Sequence, residues 1–74
     1  MEIITAQEVR SHLKENFDIS FLNDDDIATL TFSEFLNKFI LWFNGKIVSS
    51  SKTIHSPLKK LNKLIQERNL IRHN

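Results

Sequence analysis

Lys59, Lys60 and Lys63 follow Ser56-Pro57, and at 100° per residue they cluster on one side of a helix, opposite Leu58, Leu61 and Ile65. The chemistry this spacing suits is anion binding. Lys52, His55 and Ser56 add donors just upstream, and Arg68 and Arg72 carry the positive charge further along the chain. With Ser56 as N-cap and Pro57 at the first helical position, Lys59 and Lys60 fall in the first turn. The helix dipole is positive there and disfavours each cation by about 0.3–1 kcal/mol, while free backbone amides attract an anion. A phosphate would turn this unfavourable arrangement into a favourable one. Few aromatics lie among these lysines, so the expected nucleic-acid contact is to the backbone, without base stacking and largely sequence-tolerant.

The formal net charge of +1 conceals a division along the chain. Residues 1–45 carry Arg10, Lys14 and Lys38 against eight acids, a net of −5, whereas residues 46–74 carry seven cations against Glu67, a net of +6. Such asymmetry points to a charged partner: nucleic acid, a nucleoprotein or an acidic protein surface. The two halves can alternatively neutralise each other within one fold, or attract between copies and give a homo-oligomer.

Other chemistries fail on spacing. An EF-hand loop opening at Asp24 requires glycine at its sixth position and glutamate at its twelfth, where Thr29 and Phe35 stand. Asp24, Asp25 and Asp26 read instead as a solvated turn. His12, His55 and His73 have no HExxH spacing, and cysteine is absent, so no metal site is expected. Ser33, Ser49, Ser50 and Ser51 lie in no GxSxG elbow, and no Gly-rich loop is present to cradle a nucleotide. No catalytic residue, cofactor or enzymatic activity is expected. The alternative to nucleic-acid binding is a protein-interaction adaptor or inhibitor of the phage or plasmid type. Its partner surface would combine Leu41 and Trp42 with the acidic turn at Asp24, Asp25 and Asp26.

The elements that must position these residues form one small domain of 74 residues. Thr5 and Glu8 make a capping box, stapled by Ile4 and Val9, for a first helix from Ala6 to Asn16. Its apolar stripe is Ala6, Val9, Leu13 and Phe17, with His12 on the flank. Residues 17–22 and 27–32 read as the arms of a hairpin with Asn23-Asp24-Asp25-Asp26 at the tip. Ile19, Phe21, Ala28, Leu30 and Phe32 then face the core. Thr31 and Glu34 repeat the capping box for a second helix whose broad face is Phe35, Leu36, Phe39, Ile40 and Phe43, ended by Asn44-Gly45. A third helix runs from Ser56 to about Asn69 on Leu58, Leu61, Leu64 and Ile65, leaving Leu70 and Ile71 as a packed tail. The predicted fold is therefore α+β, helix–β-hairpin–helix–helix, with an all-α bundle of three to four helices as the alternative.

Two family likenesses carry no functional residue across. Asp26-Ile27-x-x-Leu30-x-Phe32-x-x-Phe35 resembles the turn before the second helix of acyl carrier domains, but Glu34 stands where the attachment serine would be. The predicted order is similar to part of the KH type of RNA-binding domain, whose GxxG clamp has only Gly45 to draw on here. The amino terminus has no signal-peptide pattern, and the longest near-continuous apolar run, Phe39–Phe43, is far short of the roughly 20 residues that span a bilayer. A cytoplasmic location without a membrane partner is expected. Lys, Asn, Ile and Phe occupy 29 of the 74 positions, as in chains from AT-rich bacterial, phage or plasmid genomes.

Overall fold

The computed structural model describes residues 4–14 and 18–73, with backbone alone for residues 12–14. Helix α1 (Ala6–Lys14) is followed by strands β1 (Ile19–Leu22), β2 (Ile27–Ser33), β3 (Lys38–Phe43) and β4 (Lys46–Ser51). Helix α2 (His55–Arg68) and a two-residue strand β5 (Ile71–Arg72) complete the chain. The strands form one antiparallel sheet in the order β4-β3-β2-β1-β5. Among the described residues no helix is long and apolar enough to cross a membrane.

Alternation decides which side of the sheet is covered. Ile19 pairs with Leu30, Phe21 with Ala28 and Leu30 with Leu41, so these side chains share one face. That face packs against Val9 of α1 and Leu58, Leu61, Leu64 and Ile65 of α2, with Phe39 and Phe43 partly buried at its margin. On the opposite face Thr29 pairs with Trp42 and Thr31 with Ile40, and Ser20 bonds Thr29 across the strands (Oγ to Oγ1, 3.1 Å).

The helix-hairpin-helix-helix order does not occur, and neither does the all-α alternative. The first hairpin forms with its tip at residues 23–26, as its sequence predicts, but the stretch expected as the second helix is the end of β2, the β2–β3 turn and β3. A short apolar run such as Phe39-Ile40-Leu41-Trp42-Phe43 fits a helix and a buried strand equally by periodicity. The arbiter lies beside it. Asn44 (φ 52°) and Gly45 (φ 82°) form a two-residue turn with both residues left-handed, the type I′ geometry whose twist matches paired strands. Asn-Gly is thus a hairpin signal here and no helix stop. Thr31, expected to cap a helix, instead sits mid-strand with its hydroxyl 3.5 Å from the Ile40 carbonyl. Ser33 holds the following turn by accepting a hydrogen bond from the Leu36 amide.

Both true helices lie close to their predicted spans. At α1 the Thr5 hydroxyl accepts from the Glu8 amide (3.3 Å), and Ile4 and Val9 are buried. The expected extension to Asn16, Phe17 in the stripe, and the side chains of His12 and Leu13 lie outside the described residues. Helix α2 starts earlier than its sequence suggests. Ile54 occupies the N-cap with no side-chain bond, and His55 is the first helical residue. Ser56 and Pro57 therefore stand inside the first turn, where proline's missing N–H leaves nothing unsatisfied. Asn69, in the left-handed conformation, ends the helix by donating its amide to the Ile65 carbonyl.

Candidate functional site

A groove of about 610 Å³ runs between α2 and the edge strand β4. Two features of the sequence open it. Strand β4 carries serines where its neighbour carries large apolar residues, Ser49 opposite Leu41 and Ser51 opposite Phe39, so the helix-facing side of this edge is shallow and polar. Between the Leu41–Ser49 and Trp42–Ile47 pairs, Val48 is an extra residue, a bulge of the kind that bends an edge strand. Lys59, Lys60, Lys63 and Ser56 come from one wall and Val48 and Ser49 from the other. All three lysines are exposed, and among the described residues no carboxylate lies within ion-pair distance of them. Glu67, one turn beyond Lys63, makes no ion pair with it.

The expected site residues divide into groups. Lys59, Lys60, Lys63 and Ser56 meet at the groove. Lys52 and His55 are exposed at the β4–α2 connection, outside the groove lining but at the same end of the helix. Arg68 and Arg72 are used differently. The Arg68 guanidinium stands 4.0 Å from Asp26 and 5.6 Å over the Phe43 ring. That of Arg72 stands 3.5 Å from Glu8 and 5.9 Å over Phe21. Two of the tail-end cations thus meet acids of the front half, and the groove lysines do not. The helix start also revises the dipole argument. With His55 first, Lys59 and Lys60 occupy the second turn, where the dipole's effect has largely decayed. Their openness to a ligand rests on their exposure and on the absence of an acid partner among the described residues.

The second expected surface does not assemble as the sequence suggests. Leu41 is fully buried in the core, because strand pairing with Leu30 turns it toward the helices, so it is no contact residue. Trp42, its neighbour in the strand, is 37% exposed on the face away from the helices, beside Ile47 at 54%. Asp24 and Asp25 are exposed, but Asp26 is half-buried and engaged: its carboxylate accepts from Asn44 Nδ2 (3.0 Å), and its amide donates to Asn23 Oδ1. The turn is built as much as it is solvated.

Ser49 and Asn62, within the basic segment the sequence marks out, also line the groove, whereas Val48 and Gln66 lie outside it. Val48 comes from a strand that is not in the predicted fold, and Gln66 from α2 one turn beyond Lys63. Asn62 donates its amide to the Ile4 carbonyl (3.4 Å), tying the start of α1 to α2, and its Oδ1 is buried without a partner among the described residues. No three His, Asp or Glu side chains converge to hold a metal among the described residues. No protein-family model, curated protein or solved structure matches the chain.

Proposed function

We propose that the protein is a small non-catalytic module that binds nucleic acid in the cytoplasm, taking the phosphate backbone into the groove between α2 and β4. The observation that carries this reading is the set of three exposed groove lysines that meet no carboxylate among the described residues, in a chain whose front half is strongly acidic. Ordered phosphates would release counterions and give binding that weakens steeply with salt. Ser56 and the uncapped first turn of α2 add neutral donors at one end of the same groove. The test is a salt titration of binding to generic oligonucleotides. Replacing Lys59, Lys60 and Lys63 together by glutamine should lower the log–log salt slope by about 2–3, near 0.9 for each lost duplex phosphate contact or 0.7 on a single strand. An unchanged slope would retire the reading.

The sheet face away from the helices favours a second reading, a protein-interaction adaptor or inhibitor. Trp42, Ile47 and Ile27 are exposed there together, and aromatic residues in such patches anchor partners. In that case Trp42→Ala removes capture of one stoichiometric protein from the native host and leaves the melting temperature within a few degrees. A fall in melting temperature with capture intact assigns Trp42 to stability alone.

A further inference from the structure

The β2–β3 turn holds the most exposed aromatic side chain of the described residues. Phe35 is 95% exposed and Leu36 beside it 52%. The turn is nevertheless well defined: Leu36 donates its amide to Ser33 Oγ (3.2 Å), Asn37 takes φ 55°, and Ser33 pairs with Lys38 across its base. Just below, the Phe32 and Phe39 rings meet at 4.9 Å. The hairpin is packed up to its tip and there presents a phenyl ring to water.

Strand direction places this tip. β3 leaves the turn where β4 arrives, with Phe39 opposite Ser51, so the β4–α2 connection and the first turn of α2 lie at the same end of the sheet. Phe35 precedes Phe39 by four residues and so stands no more than about 13 Å beyond that pair, at about 3.3 Å per residue. Lys38 on the hairpin and Lys52 at the end of β4 flank the interval, each next to one member of the pair. A cationic groove therefore leads past Lys52 toward an unsupported aromatic ring.

Resting on the backbone-binding reading above, we infer that the ligand is single-stranded nucleic acid, with phosphates on the groove lysines and an unpaired base stacked on Phe35. A polyanion with free planar faces satisfies both features. A duplex buries its bases in its own stack and can offer the lysines phosphate only. A lipid surface would suit an apolar tip, but a concave groove whose lysines stand along a helix does not match a flat headgroup plane.

The experiment measures binding of a fluorescent single strand of about 12 nucleotides, the matching duplex, and vesicles containing about one-third anionic lipid, at about 50 mM salt. The intact protein should prefer the single strand. Phe35→Ala should weaken single-strand binding about 5- to 150-fold, leave duplex binding unchanged and keep the salt slope, since it removes a stacking contact and no charge. Phe35→Trp should retain the preference. Because Phe35 touches little of the protein, circular dichroism and melting of both variants should match the parent. If the parent binds both oligonucleotides and Phe35→Ala changes neither, or both equally, the stacking inference falls and the groove reading stands. If the parent binds neither, both fall. Vesicle binding that requires Phe35 while single-strand binding does not would assign the tip to membranes and overturn the inference.

Discussion

At the C-terminal end of α2 side chains of two turns fasten the helix to the sheet, whereas at its N-terminal end the side chains of His55, Ser56, Lys59 and Lys60 are exposed. In the connection before that end, Ser51 and Thr53 bond each other. Asn23 Nδ2 donates to the Arg68 carbonyl (2.7 Å), Asp26 faces the Arg68 guanidinium, and Asn44 joins Asp26 to the backbone of Ile27. Two turns and the end of a helix are fastened to each other through asparagine and aspartate side chains. At the other end Ile54 caps without a side-chain bond, His55, Ser56, Lys59 and Lys60 are exposed, and Phe35 stands beyond them. The choice of cation follows the same division. Arg68, whose planar fork and ring-stacking suit fixed partners, is held at the fastened end, whereas Lys59 and Lys60 stand at the open one. One end of the molecule holds the fold, and the other is left available.

The largest effect should come from breaking the fastened end. Asn44→Ala puts a β-carbon residue without compensating polarity at φ 52° and removes both side-chain bonds, to the Ile27 amide and to Asp26. Left-handed strain of about 1 kcal/mol and two exposed hydrogen bonds of about 0.5–1 kcal/mol each add to about 2–3 kcal/mol. For a domain of this size that is roughly a 10–20 °C fall in melting temperature. Asn44→Gly keeps the backbone angle accessible and should lose about half as much. Neither variant should change the salt slope of oligonucleotide binding measured well below its melting temperature. A change in slope would mean that the fastened end also touches ligand.

The same contrast explains what could be read from the sequence. Helix caps and single-face patterns are local, so α1, the first hairpin and the buried face of α2 are legible from Thr5–Glu8, Asn23–Asp26 and the leucine spacing of residues 58–65. Residues 31–44 are not, because two local signals there compete with a pairing of long range. Thr31–Glu34 and Asn44-Gly45 are both consistent with a helix taken alone. The left-handed Asn44-Gly45 turn, together with the partnership of Leu41 with Leu30 on one side and Ser49 on the other, decides for a strand. Half of the candidate site was legible for the same reason. The lysines declare themselves by spacing on one helix, whereas Val48 enters only through β4, and Phe35, expected on the broad apolar face of a helix, becomes exposed when that stretch is a turn.

The smallest effect, and the most discriminating, is expected at Ser56. This exposed residue stands in the first turn of α2, which contains no acid, and lies three and four residues before Lys59 and Lys60. Ser56→Glu places a negative charge at the positive end of the helix dipole and within reach of two helical ion pairs. Together these should stabilise the fold by about 1 kcal/mol, raising the melting temperature by about 4–8 °C. The same carboxylate would occupy the groove and neutralise the lysines, so oligonucleotide affinity should fall roughly tenfold at about 50 mM salt, and less at about 200 mM, where screening is stronger. Stability and binding then move in opposite directions from one substitution. A folding-only role for the lysines predicts the gain in stability with binding unaltered, and a ligand seated elsewhere predicts the same. The divergence is therefore specific to a first helical turn that holds no acid, so that an external anion can supply the partner of the groove lysines.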